Sequence, residues 1–132
     1  MMWIDRVYIG QYAFDTLVAV TADEHITGLM YQSWPPPVMV FPYKNAEQRR
    51  FWMKNTPSPL DIIFANAGKI VGIFKGEPLT TTCVGPDSST DLVIELPYGT
   101  VAELNILVGD DVKVCYSIDT AIKIMKYSQS VS

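Results

Sequence analysis

The chain is expected to be mainly β: a single antiparallel, sandwich- or barrel-like domain decorated by two short helices and a C-terminal tail helix. Three observations lead there. About seven runs of strand length, rich in β-branched and aromatic residues, recur along the chain. Nine prolines and eight glycines separate them, as suits a turn-rich sheet protein. Helix starts are signalled only by short motifs, which is unlike the alternating strands and long helices of a doubly wound sheet.

Val7, Tyr8 and Ile9, ended by Gly10, suit a short edge strand, and residues 17–20 a second strand. Thr21, Ala22, Asp23 and Glu24 form a capping-box pattern: the Thr21 hydroxyl can accept from the Glu24 amide while Glu24 reaches back. Ile26, Leu29 and Met30 then share one side, expected to lie on the core, and the helix stops near Tyr31. Trp34 and the prolines 35–37 make an extended connector to a strand over residues 38–41, and residues 43–48 read as a polar loop.

Phe51, Trp52 and Met53 read as strand and residues 55–59 as a stiff loop. Leu60, Ile62 and Phe64 alternate with Asp61, Ile63 and Ala65 on the two faces of the next strand. Residues 70–74 are apolar on both faces and are expected at the centre of the sheet. Residues 77–90 form a long loop, a feature often functional in compact domains. Leu92, Ile94 and Leu96 face inward, opposite Val93 and Glu95. Thr100 and Glu103 repeat the capping-box pattern at a second short helix, and residues 112–114 form the last core strand. Ser117 can cap a tail helix with Ile118, Ala121, Ile122 and Met125 as one apolar stripe, while residues 128–132 fray.

A chain of 132 residues buries roughly two-thirds of its unfolded surface, enough for one core without a metal or disulfide staple. Residues 1–132 are therefore taken as one domain. The net charge of −4 argues against nucleic acid as a partner. Lys44, Arg49, Arg50 and Lys54 do cluster, but Glu47 lies among them, and a solvated edge explains the group. Cys83 and Cys115 lack metal or redox spacing and are expected to be two buried thiols. The first residues lack the pattern of a signal peptide and no run reaches membrane-spanning length, so a soluble, cytoplasmic protein without a membrane partner is expected.

No catalytic motif is present, and His25, the lone histidine, reads as a surface residue. Met30, Met39 and Met53 read as core filler rather than copper ligands. No catalytic residue, metal or cofactor is assigned. The densest stretch is residues 51–61, and Trp52, Lys54, Asn55, Asp61 and Glu95 form the candidate ligand-binding set. Strand phase places Asp61 and Glu95 among apolar groups, where a carboxylate needs a cation or several donors. Lys54, Asn55 and loop amides can satisfy Asp61 and lock the loop; alternatively, Lys54 and a carboxylate hold a ligand. The leading reading is a non-enzymatic binding or interaction module using residues 51–61 and 77–90, its partner a protein or a small molecule. The alternatives are a small enzyme using Lys54 with Asp61 or Glu95, and self-association through the tail helix.

From about residue 14 to 114 the chain resembles the family known as domain of unknown function 192. Gly28, Leu29 and Met30 match, as do Met39 with Phe41, residues 51–56, Pro59, Leu60 and Asp61, and Phe64. Glu77 with Pro78, Glu95, Leu96 and Pro97 with Gly99, and Val108, Gly109 and Asp110 with Val112 continue the match. The resemblance implies a small β-rich, sandwich-like fold and no particular activity. Tyr31 and Gln32 stand where members often carry arginine, Val38 where they carry glycine, and Leu79 where many carry cysteine, so no disulfide is expected at that loop. Many members look exported, a role not carried over to this chain. Residues 115–132 lie outside the pattern, as an extension that could serve a partner.

Overall fold

The computed structural model describes residues 4–130. Its elements are β1 (Arg6–Ile9), β2 (Tyr12–Asp15), β3 (Leu17–Val18), α1 (Ala22–Thr27), β4 (Met39–Gln48), β5 (Leu60–Asn66), β6 (Lys69–Gly76), β7 (Ser89–Pro97), α2 (Thr100–Leu104), β8 (Val112–Cys115) and α3 (Ile118–Ser130). Three strands make an antiparallel sheet in the order β2-β1-β8. The other five make a second sheet in the order β3-β4-β7-β5-β6, antiparallel except where β3 runs parallel to β4.

The alternation in β4, β5 and β7 builds two cores, one on each side of the larger sheet. Val40, Ile63, Ala65, Ile94 and Leu96 pack against Val7, Ile9 and Val112 of the small sheet, closing a sandwich. Met39, Phe41, Leu60, Ile62, Phe64 and Val93 point the other way, where Ala19, Leu29 and Met53 from the connecting segments cover them. These strands are apolar on both faces because both faces are covered. The result is one mainly β domain, as expected, and none of the described helices is long and apolar enough to cross a membrane.

Several local expectations are corrected. β6 lies at an edge of its sheet and β1 at the middle of the other. Apolarity on two faces reports what lies above and below a strand; Ile70 in the sandwich and Phe74, 5.6 Å from Phe64, supply that at an edge too. All of residues 43–48 belong to β4, whose pairing with β7 is interrupted between Pro42 and Glu47 and resumes at Glu47. The 51–53 segment contributes a single bridge, Phe51 with Val84. In α1 the capping box forms, but no residue of the helix is buried and Ile26 is exposed; Leu29 reaches the core only after Gly28 ends the helix.

At α2 the expected Thr100 box is absent. Gly99 occupies the N-cap, and Thr100 Oγ1 donates to the Pro97 carbonyl instead. Ser117 does cap α3, accepting from Thr120 N at 3.2 Å. The apolar stripe is on the wrong side, however: Ile118, Ile122 and Met125 are exposed, while Thr120, Ile124 and Tyr127 turn inward. Polar anchors at Asp5 and Glu24 select that face. The helix continues to Ser130, and the end of the expected frayed segment, residues 131–132, lies outside the described residues. Both cysteines are exposed thiols, since Cys83 sits in the 77–88 loop and Cys115 ends a strand.

Candidate functional site

Glu95 stands on β7 between its two neighbours, opposite Met39 of β4 and Ile62 of β5. A side chain on a central strand is enclosed from both sides, and Glu95 is only 4% exposed. Neither carboxyl oxygen has a hydrogen-bond partner among the described residues. Burial, with no nearby cation to oppose it, pushes the carboxyl up to about 8. The group is therefore mostly protonated at neutral pH, a donor without an acceptor. Its oxygens keep contact with open space, since the wholly buried side-chain oxygen left without a partner among the described residues is Thr90 Oγ1, not either oxygen of Glu95. Glu95 forms part of the wall of a cavity of about 410 Å³.

The local chain makes room for that cavity. Gly28 holds φ at +46°, and a Cβ there would stand 3.3 Å from Phe41 Cζ and 3.8 Å from Glu95 Oε1. Aromatic edges continue the wall: Phe41 and Phe51 are 5.1 Å apart, and His25 meets Phe41 at 5.6 Å and Tyr43 at 4.9 Å, while Phe64 packs behind Phe51 at 5.8 Å. Burial lowers the His25 pKa; Arg49 pushes the same way, against the Ala19 carbonyl and Glu24. His25 is thus a half-buried ring rather than the surface histidine expected.

Arg50, Trp52, Lys54 and Cys83 also line this cavity. The two long irregular segments are stitched together there: Phe51 and Val84 exchange backbone bonds of 2.8 Å, and Met53 N donates to the Thr80 carbonyl at 3.0 Å. Arg50 is occupied, donating to the Pro86 carbonyl and pairing with Asp87 at 2.9 Å. Lys54 Nζ lies 5.3 Å from the Trp52 ring centroid and has no carboxylate partner among the described residues.

The expected ligand set therefore divides. Trp52, Lys54 and Glu95 line one cavity. Asn55 does not; it adopts a left-handed turn at φ +55°, and its carbonyl accepts from Tyr31 N at 2.8 Å. Asp61 lies on the opposite face of β5 from Ile62 and accepts from Gly99 N at 3.1 Å and Val101 N at 2.9 Å. It caps α2 from a neighbouring strand, so Lys54 and Asn55 are not its partners. Burial raises the Asp61 pKa, against the opposing effect of the amides of Val101, Gly99 and Thr100.

His25, Phe41, Tyr43, Arg50, Phe51 and Cys83 were not singled out as site residues. Phe51 and Cys83 do lie in the two stretches expected to form the recognition surface, residues 51–61 and 77–90, and Phe41 carried a signal in its place on β4, on the same sheet face as Met39 and hence as Glu95. Met39 and Met53 are core filler, as expected, whereas Met30 lines the cavity. Among the described residues no group of three His, Cys, Asp or Glu side chains gathers to hold a metal.

Fold and cavity together define a small two-sheet β domain with an open pocket on one face of its larger sheet. The chain belongs to the DUF192 family, described as "Uncharacterized ACR", whose profile matches residues 6–114. The match takes in all of β1 and β2 and leaves α3 outside. Two solved structures are similar. One is a protein of unknown function from Novosphingobium aromaticivorans DSM 12444, with a TM-score of 0.77, 29% identity, and coverage of 82% of this chain and 83% of that one. The other, described as a putative transcription regulator from Sinorhizobium meliloti 1021, has a TM-score of 0.77, 29% identity, and coverage of 83% and 92%. Comparison with curated proteins returns no match.

Proposed function

We propose that this protein is a small-molecule-binding module whose ligand sits in the Glu95 cavity. One observation carries the reading: a carboxyl 4% exposed, unpartnered among the described residues, on the wall of a cavity of about 410 Å³. That volume falls in the usual range for ligand pockets, roughly 300–1,000 Å³. A ligand that bonds Glu95 relieves the cost of burying it alone.

A catalytic reading has one point in its favour, because a carboxyl held at about 8 can serve as an acid near neutrality. Binding is better supported, since Asp61 is taken up by α2 and no second carboxyl lines the cavity with Glu95. The description of the Sinorhizobium protein raises nucleic acid as a partner. Against it, Arg50 is tied to Asp87, and Arg49 donates to the carbonyls of Thr90 and Asn45. A fragment screen by ligand-observed NMR tests the binding reading. Hits whose protein chemical-shift changes cluster at His25, Trp52 and Glu95 are expected, and Glu95→Leu should lose them. An empty screen, or hits indifferent to that substitution, would refute it.

A further inference from the structure

The Glu95 cavity also constrains the class of its ligand. Besides Glu95, the titratable and charged groups lining it are His25 from α1, Tyr43 from β4, Arg50 and Lys54 from the segment after β4, and Cys83 from the 77–88 loop. Burial lowers the His25 pKa and pushes Tyr43 up to about 12. Arg50 has its charge met by Asp87. Lys54 has none among the described residues, and its ammonium lies 5.3 Å from the centroid of the Trp52 ring. Phe41, Phe51 and Trp52 supply aromatic wall. An engineered cavity of about 150 Å³ is enough for benzene, so one or two rings fit in about 410 Å³.

We propose that the cavity takes a small aromatic carboxylate, its ring against Phe41, Phe51 and Trp52, its charge at Lys54, and a hydrogen-bond acceptor turned toward Glu95. The assignment rests on the ligand-binding reading and names the chemistry of the ligand. An ammonium would have to share the cavity with Arg50 and Lys54 and would require an ionised Glu95, which burial disfavours. One unmet cation matches a single negative charge better than the near-double charge of a phosphate monoester. The protonated Glu95 can donate to a phenolic or carbonyl oxygen, and aromatic walls hold a planar ring without specifying its polar edge.

The test uses three probes that share a ring and a phenol and differ in charge: 3-hydroxybenzoate, 3-hydroxybenzylamine and 3-hydroxybenzyl alcohol. Affinities are measured by titration calorimetry in a Cys83→Ser background, which removes the exposed thiol from the cavity wall. The benzoate should bind about fivefold more tightly than either other probe, the equivalent of one modest ion pair. Lys54→Ala should abolish that advantage. Raising the pH from about 6.5 to about 9 should weaken the benzoate roughly tenfold as Glu95 ionises, and Glu95→Gln, which keeps a donor but cannot ionise, should remove the pH response.

Preference for the amine, equal binding of all three probes, or a pH response that persists in Glu95→Gln would overturn the aromatic-carboxylate class. In those cases ligand binding itself would stand. Failure of all three probes would also overturn the class, and the ligand-binding reading would fall with it only if the fragment screen were empty as well.

Discussion

Asp61 of β5 and Glu95 of β7 stand one residue out of register, Asp61 opposite Leu96 and Glu95 opposite Ile62, so their carboxyls leave opposite faces of one sheet. Adjacent strands thus carry two buried acids with separate roles. Asp61 closes the start of α2, while Glu95 faces a cavity.

Asp61→Ala should destabilise the fold by about 1–3 kcal/mol, since it strips the acceptor from the amides of Gly99 and Val101. Ligand binding at Glu95 should persist, because the two side chains do not share a face. Urea unfolding checks the first expectation and a fragment titration the second. An unchanged urea midpoint would show that α2 does not depend on this cap.

Glu95 makes stability fall as pH rises. Its folded-state pKa of about 8 lies above the ordinary 4.5, so between those values the folded chain holds a proton that the unfolded chain has released. The cost is absent below about 4.5, grows through the interval, and levels off above about 8. Glu95→Gln should therefore match the wild type near pH 4.5 and melt at least about 5 °C higher near pH 8.5. Asp61 shifts in the same sense, its folded pKa raised, and His25 in the opposite one, its folded pKa lowered. Both are common to the two proteins and cancel in the difference. Parallel melting curves across pH would refute the buried, unpartnered acid.

Cys83 and Cys115 are exposed at separate places, one on the cavity wall and one at the end of β8. Ellman's reagent should therefore modify both in the native protein. A ligand in the cavity should slow only the Cys83 reaction. Equal protection of both thiols would point to a global change rather than to occupation of this cavity.

Strand phase alone revealed that Asp61 and Glu95 enter apolar surroundings, but it read two apolar faces only in residues 70–74 and missed that β5 and β7 bury both of theirs. It could not tell which partner each acid meets, because that depends on which connection crosses each face. Asp61 meets α2, thirty-eight or more residues away in the chain, and Glu95 meets a cavity bounded by segments from α1 to Cys83. The capping box of α1 was legible because its bonds span only three residues. The pattern at Thr100 misled because the helix starts one residue earlier: Glu103 N donates to the Gly99 carbonyl, and Asp61, remote in sequence, accepts from the amides of Gly99 and Val101. The exposed stripe of α3 misled likewise: apolar spacing specifies a face, and distant Asp5 and Glu24 chose another.

Those anchors hold α3 largely through polar contacts to Asp5, Glu24 and Ala22. Ser117 N and Thr120 Oγ1 donate to the two oxygens of Asp5 at 2.7 and 2.8 Å, Lys123 pairs with Glu24 at 2.6 Å, and Ala22 N donates to Tyr127 Oη at 3.1 Å. Ile124 and Tyr127, with Val20, Ile26 and Tyr43, border a second cavity of about 720 Å³, so the helix spans a gap rather than dense packing. Burial alone would raise the Glu24 carboxyl, but Lys123 and the amides of Thr21 and Val20 hold it down to about 2. Its contribution is present above the ordinary 4.5 and is lost as pH falls through about 2. At neutral pH the vulnerable contact is Asp5. Asp5→Ala should speed hydrogen exchange of the α3 amides about tenfold, as expected for losing bonds to a charged acceptor, and leave β5 and β7 unchanged. Equal acceleration in helix and sheet would mean that α3 unfolds only with the whole domain; no acceleration would mean that its apolar inner face, not Asp5, holds it in place.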